Sequence, residues 1–216
     1  TSELSKNDAV LEVGAGFGFL TSVLVKTVRE VTAVELEPVL AKVLKNAAAV
    51  ASHVASRLKI IQQDILNLTE SELPEGDYKI VANLPYGITS VFLKKFLTSL
   101  RQPTSMALLL QKEVAERICA RPGQMSLLSI SVQLYSEPKV VKIVPPEAFW
   151  PKPKVYSAIL KIVDIHAFPF AKQISEKVFW QVVRAGFAGK RKTLENNLAN
   201  SLHLSKPQIK DILEQY

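Results

Sequence analysis

Short runs of Val, Ile and Leu alternate with helical stretches through the first half of the chain, and this alternation restricts the fold more than any other feature. The runs predict strands at residues 9–13, 31–35, 58–62, 78–82 and 104–110. Apolar residues at three- and four-residue spacing predict the intervening helices at residues 20–26, 38–50 and 90–100. This order is typical of a parallel sheet covered by helices on both faces. We therefore predict an α/β fold.

The second half of the chain changes from mixed to purely helical. Two helices are predicted first, at residues 111–120 and 126–135, and two β-like runs follow, at residues 139–144 and 155–163. A stiff Pro-rich segment separates those runs. Three further helices are predicted at residues 175–187, 190–202 and 205–214. We therefore predict an α/β domain at residues 1–164 and a small all-helical domain at residues 165–216.

Composition narrows the class of protein. The 216 residues are 48% hydrophobic and 22% charged, as in ordinary globular proteins. The single cysteine, Cys119, cannot form an internal disulfide, which favours a reducing compartment, and nothing suggests a metal site. No apolar run approaches the roughly 18 residues of a membrane span, and the polar first residues are unlike a secretion signal. We expect a cytoplasmic protein that is monomeric and not bound to a membrane.

The formal charge of +7 and the pI near 9.4 favour an anionic partner, with nucleic acid ahead of a membrane surface. Residues 165–216 hold eight Lys and Arg against four Asp and Glu, so they carry +4 of that charge. Their densest run contains Arg184, Lys190, Arg191 and Lys192, and it suits contact with an RNA backbone. The alternative is a solvated basic face.

A second polar segment, at residues 111–117, follows the fifth predicted strand. Lys112 and Arg117 within it could reach RNA. Pairing at four-residue spacing on the helix surface, Lys112 with Glu116 and Glu113 with Arg117, explains them equally well.

A glycine-rich loop follows the first predicted strand and opens the first helix. It contains Glu12, Gly14, Gly16 and Gly18, and its glycines allow a sharp turn and close approach of a ligand. A dinucleotide-binding loop needs its third glycine three positions after the second, and here the glycine comes one position early, which disfavours NAD. The spacing resembles the loop of S-adenosylmethionine methyltransferases. The alternative is a tight turn without a ligand.

Acidic residues follow the second and third predicted strands. Glu35 ends the second strand, where a carboxylate can accept hydrogen bonds from both ribose hydroxyls of a cofactor, and Leu36 beside it belongs to the same predicted site. Asp64 is placed to accept from an adenine amino group, and Ile65 to pack on the ring. The alternative for Asp64 is a simple turn-forming role.

The tetrapeptide Asn83-Leu84-Pro85-Tyr86 follows the fourth predicted strand, at the edge where open α/β sheets place their active sites. The amino group of a base is a poor nucleophile because its lone pair is delocalised into the ring. The Asn83 amide oxygen and the Leu84 carbonyl, by accepting its N–H bonds, would concentrate density on nitrogen and aim it at a methyl donor. Pro85 would stiffen the turn, and Tyr86 would stack on the base. Alone, the tetrapeptide could be a β-turn.

The Pro-rich segment supplies a second aromatic wall for a flipped base. We predict that this wall is Phe149. A buried plug at the sheet edge is the alternative for Phe149, and Trp150 could pack beneath the loop. Asn83 is also counted with the predicted cofactor site, because the glycine loop and the Asn83 turn are expected to converge.

Together these motifs resemble the ribosomal RNA adenine N6-dimethyltransferases of the KsgA type. The resemblance rests on residues 11–16 (LEVGAG), 83–86 (NLPY), 111–117 (QKEVAER), 149–155 (FWPKPKV) and 187–194 (FAGKRKTL). It implies a Rossmann-like class I methyltransferase sheet with a small C-terminal helical domain, and S-adenosylmethionine as donor. That family also carries a segment upstream of the first strand, so we expect this chain to be a fragment. Gly87 stands where the family usually has Asn and leaves the loop freer.

The resemblance also implies an activity, which is dimethylation of two adjacent adenines near the 3′ end of small-subunit (16S-type) rRNA during small-subunit biogenesis. The expected partner is rRNA in a pre-ribosomal particle. Three alternatives remain at this point. They are a large-subunit rRNA methyltransferase of the macrolide-resistance type, a non-catalytic assembly factor on the same fold, and a DNA adenine methyltransferase.

Overall fold

A seven-stranded sheet forms the centre of the computed structural model, which describes residues 3–50, 56–85, 87–189 and 191–215. Its strands are β1 (Ala9–Val13), β2 (Glu30–Glu35), β3 (Leu58–Gln62), β4 (Tyr78–Asn83), β5 (Ser105–Gln111), β6 (Glu137–Val144) and β7 (Ser157–Val163). The first helices are α1 (Phe19–Thr27), α2 (Pro38–Val50), α3 (Thr89–Leu97), α4 (Lys112–Ile118) and α5 (Leu127–Gln133). The last three are α6 (Glu176–Gly186), α7 (Leu194–Leu202) and α8 (Lys206–Leu213).

The strand order is β3-β2-β1-β4-β5-β7-β6. Strands β1 to β5 are parallel, and β7 runs antiparallel between β5 and β6. The predicted α/β fold is therefore confirmed. The order reverses direction between β1 and β4, and a crevice at such a switch point is the usual ligand site of open α/β sheets.

Burial on both faces of the sheet explains the apolar strands. Every residue of β1 is buried, and alternate residues enter different clusters, with Leu11 and Val13 on one face and Val10 on the other. The larger cluster contains Ile80 and Phe92, so it joins β4 to α3. A third, smaller cluster joins α6, α7 and α8.

Capping residues set where several helices begin. The Thr193 hydroxyl accepts a hydrogen bond from the Asn196 N–H, so α7 begins at Leu194 rather than at the predicted residue 190. Ser175 caps α6 in the same way. Helix α2 has the predicted bounds. The predicted division near residue 165 stays a prediction.

Among the residues described, no helix combines the length and apolar character that crossing a membrane requires.

Candidate active site

The glycine loop and the Asn83 turn meet at the carboxyl edge of β1 and β4. Gly14 has φ +75°, and a β-carbon placed there would lie 2.9 Å from the Asn83 carbonyl oxygen. Only glycine combines this left-handed conformation with such close backbone approach. Gly16 and Gly18 also have positive φ. The loop following β1 is thus packed directly against the end of β4.

The Glu35 carboxylate holds the glycine loop in shape. Its Oε2 accepts the Gly16 N–H at 2.7 Å, and its Oε1 accepts the Glu37 N–H at 2.9 Å. Glu35 is buried, whereas neighbouring Leu36 is exposed. Each carboxylate oxygen has a further lone pair, so the anchored side chain can still accept hydrogen bonds from a ligand.

Glu12 is the most unusual polar residue of the site. It is 1% exposed, and neither carboxylate oxygen has a hydrogen-bond partner among the residues described. The Thr21 hydroxyl is buried and unpartnered within the same part of the chain. Burial raises the pKa of Glu12 to about 7, with Thr21 opposing the rise and the Glu35 charge adding to it. Buried polar groups without partners are costly, so this pair indicates a place for a ligand's polar group.

Asp64 and Ile65 lie beyond β3 in a turn that uses both side chains. Asp64 Oδ1 accepts the Leu66 N–H at 2.9 Å and caps a short 3₁₀ turn, which is the turn-forming role left open by the sequence. The Ile65 side chain is buried in the larger core cluster. Their predicted contacts with an adenine ring stay predictions, and that of Ile65 involves a side chain already packed against protein.

Asn83 ends β4 with its side chain exposed, while the Leu84 side chain is buried. The Leu84 N–H donates to the Leu109 carbonyl at 3.3 Å, and the Pro85 carbonyl accepts the Ile88 N–H at 3.3 Å. These bonds fix the turn on both sides. Within the described ranges, the Leu84 carbonyl and the Asn83 amide oxygen accept no hydrogen bond, so two acceptors stand at one edge of the sheet.

A cleft of about 320 Å³ separates the Asn83 turn from the Pro-rich segment. Its lining residues are Asn83, Leu84, Pro85, Leu109, Phe149, Trp150, Pro151, Pro153 and Ser157. Phe149 is half-buried and lines the cleft, whereas Trp150 is 97% exposed and does not pack beneath the loop. The volume is at the lower end of small-ligand sites. Tyr86, the other predicted aromatic wall, lies outside the described residues.

The two cations of α4 are paired within their own helix. Lys112 Nζ lies 3.6 Å from Glu116 Oε1, and an Arg117 guanidinium nitrogen lies 2.9 Å from Glu113 Oε1. The structure therefore contains the ion pairs that the pairing alternative describes. Their predicted contact with RNA stays a prediction.

The basic residues near the C-terminus are exposed. Arg184 lies in the last turn of α6, and Arg191 and Lys192 precede α7. Lys190 lies outside the described residues. Their predicted role in RNA binding also stays a prediction.

The sequence did not single out the buried Thr21 hydroxyl near Glu12, nor Lys94 and Lys177, which line a large groove. For the groove, a pattern was present: Ser90, Lys94 and Thr98 recur every four residues along α3 and mark one polar face. For Thr21 the only indication was its place in the first turn after the glycine loop.

Solved structures share this architecture. A dimethyladenosine transferase from Plasmodium falciparum matches with a TM-score of 0.75 at 27% identity, covering 91% of this chain and 69% of that one. The 23S rRNA methyltransferase ErmE matches with a TM-score of 0.73 at 27% identity, covering 92% of this chain and 78% of that one. These matches confirm the predicted Rossmann-like methyltransferase fold.

Sequence comparison identifies the family. The ribosomal RNA small subunit methyltransferase A of Dehalococcoides mccartyi is 43% identical over 214 residues, which are 98% of this chain and 72% of that protein. The family described as ribosomal RNA adenine dimethylase matches residues 1–214. The resemblance predicted from the sequence motifs is confirmed, and the chain belongs to the ribosomal RNA adenine dimethylase family.

Proposed function

We propose that this protein dimethylates the N6 amino groups of adenines in ribosomal RNA with S-adenosylmethionine, and that its acceptor is the adjacent adenine pair near the 3′ end of small-subunit rRNA. One observation carries the proposal. The 2.9 Å approach of the Gly14 position to the Asn83 carbonyl joins a cofactor-type loop to a turn that presents acceptors for an amino group.

The residues at the glycine loop fit the proposed donor. When bound, S-adenosylmethionine supplies an electrophilic methyl group on a cationic sulfur. The anchored Glu35 carboxylate suits ribose hydroxyls, and Asp64 suits an adenine amino group. Glu12 and Thr21 offer buried, unpartnered oxygens beside the loop.

The Asn83 turn fits the proposed acceptor. In the first transfer, the Asn83 amide oxygen and the Leu84 carbonyl each accept one N–H of the adenine N6 group, which orients the nitrogen lone pair toward the methyl group. In the second transfer, one of these acceptors holds the single N–H that remains. The nitrogen loses one proton to solvent for each methyl gained. Pro85 keeps the turn rigid, and Phe149 provides one wall for a base removed from its stack. Positioning and exclusion of water supply most of the rate.

The choice of small-subunit rRNA is supported by sequence rather than by shape. The two structural neighbours described above have nearly equal TM-scores, although the name of only one of them specifies 23S rRNA. The small-subunit enzyme of Dehalococcoides is 43% identical to this chain, against 27% for ErmE.

The test is to incubate the protein and S-adenosylmethionine with unmethylated small subunits, large subunits and duplex DNA in parallel. Mass mapping of nucleosides then reads acceptor, position and methyl count together. We expect N6,N6-dimethyladenosine at two adjacent positions of small-subunit rRNA. Methylation confined to the large subunit or to DNA would contradict the substrate assignment, and absence of methylation from all three would favour a non-catalytic assembly role.

A further inference from the structure

A large cavity in the described residues shares no lining residue with the Asn83 cleft. It is a groove of about 860 Å³ between α3, α5 and α6. Its lining residues are Ser90, Lys94, Thr98, Leu127, Leu128, Ser131, Tyr135, Glu176, Lys177, Trp180, Gln181 and Arg184. None of the catalytic or cofactor roles proposed above uses it.

The groove carries an excess of positive charge. Lys94, Lys177 and Arg184 line it against a single acid, Glu176, and all four side chains belong to exposed residues. Glu176 already accepts a hydrogen bond from the Tyr135 hydroxyl. Neither Lys94 nor Lys177 forms an ion pair with another described residue. Two lysines are therefore available for an anionic ligand.

The groove also has an apolar and aromatic side. Leu127, Leu128 and Trp180 line it, and Trp180 Nε1 donates to the Tyr135 hydroxyl at 3.2 Å. That hydroxyl in turn donates to Glu176. The hydrogen-bonded chain holds the indole in place. Phosphate-binding cations beside a fixed aromatic ring are the combination that single-stranded nucleic acid uses.

Helix α3, which forms one side of the groove, begins directly after the Asn83 turn. The Pro85 carbonyl accepts the Ile88 N–H, and α3 starts at the next residue. Ser90, Lys94 and Thr98 then follow one another at single-turn spacing, a path of about 12 Å along the helix. An RNA strand whose target base occupies the Asn83 cleft can continue along the face of α3 that lines the groove.

We propose that the groove between α3, α5 and α6 binds single-stranded RNA flanking the target adenine, with phosphates on Lys94, Lys177 and Arg184 and a base against Trp180. The proposal rests on the proposed function, since it takes the strand to be the methyl acceptor. A purely apolar protein segment is a poorer occupant, because it would leave the excess positive charge of the groove without compensation.

The test measures binding of a fluorescein-labelled single-stranded RNA of about twelve nucleotides, with two adjacent adenines at its centre, over a range of salt concentrations. Lys94→Ala and Lys177→Ala should each reduce the slope of log affinity against log salt by about 0.7, and should weaken binding about fivefold at roughly 0.1 M salt. Lys94→Arg should retain the wild-type slope, because it keeps the charge.

Lys26→Ala is the matched control. Lys26 is an exposed helical lysine in the last turn of α1, at the opposite edge of the sheet from the Asn83 turn, and it should leave the slope unchanged. Affinity for S-adenosylhomocysteine reports whether each variant is folded. A wild-type slope in both alanine variants, with methyl transfer by the wild type intact, would overturn the groove assignment alone. Absent methyl transfer by the wild type would instead contradict the proposed function.

Discussion

The glycine loop and the C-terminal helices place their charged groups in opposite environments. At the loop, Glu12 and Glu35 are buried in the sheet, and Glu35 is fixed by two backbone N–H groups. On the helices, Arg184, Arg191 and Lys192 are exposed, and the cluster beneath them is small. Buried, fixed groups suit a reaction that depends on geometry, whereas exposed cations suit a backbone bound through charge. Changes at the two regions should therefore differ in kind as well as in size.

The largest effect is expected at the acceptor turn. Asn83→Ala removes the amide oxygen that we propose orients the adenine nitrogen, so methyl transfer should fall by about 10²–10³-fold. Cofactor affinity should change little. Isothermal titration with S-adenosylhomocysteine and methyl incorporation into small subunits separate the two effects. Retained turnover would contradict the role assigned to Asn83.

The next prediction concerns the buried acid Glu12 and the way in which stability depends on pH. The pKa of Glu12 is raised in the folded protein, so the folded state binds more protons than the unfolded state between the ordinary pKa and about 7. Its contribution to stability is therefore favourable at low pH and is lost as pH rises through that window, by about 3 kcal/mol in all.

Glu12→Gln removes this titration while keeping the shape of the side chain. Relative to the wild type, the variant should gain stability as pH rises from about 5 to about 8. Urea unfolding at both pH values gives the comparison. A stability difference that is independent of pH would show that Glu12 is ionised, and hence partnered, in the ligand-free protein.

A smaller effect is expected at the contact between loop and turn. Gly14→Ala places a methyl group 2.9 Å from the Asn83 carbonyl oxygen at a positive φ. The backbone conformation alone should lower the free energy of unfolding by about 1–2 kcal/mol. Gly76→Ala is the matched control, because Gly76 also has positive φ but a β-carbon added there would meet no atom within 4 Å. Equal loss of cofactor affinity in both variants would mean that the Asn83 contact has no special role.

The smallest effect is expected on the C-terminal helices. Arg184→Ala should leave cofactor binding and stability nearly unchanged and should reduce the salt slope of RNA binding by about 0.7. Fluorescence anisotropy over a salt series measures it. If Arg184→Ala lowered cofactor affinity as much as Gly14→Ala does, the proposed difference between the glycine loop and the C-terminal helices would be contradicted.

Sequence periodicity predicted the sheet and its crossover helices to within a few residues. It did so because strands that are buried on both faces, such as β1, are short and mostly apolar runs in the sequence. Helix ends differed more from the prediction. The start of α7 at Leu194 depends on a single hydroxyl of Thr193, which periodicity does not report.

The site was predictable where a short motif carries its own geometry, as at Gly14 and Asn83. The site was less predictable where tertiary packing determines which side chains face it. Ile65 follows a strand in a position that suits a ligand, yet its side chain belongs to the core. The groove at Lys94 and Lys177 needs α3 and α6 side by side, and no local pattern places two helices together.

The closeness of Gly14 to Asn83 has a consequence for how the two substrates bind. The two segments follow paired strands and leave no room for a β-carbon between them, so a shift of either segment is transmitted to the other. Filling one pocket should therefore alter affinity in the neighbouring one, and by linkage the influence is mutual. Donor and acceptor would then bind cooperatively without any hinge between domains.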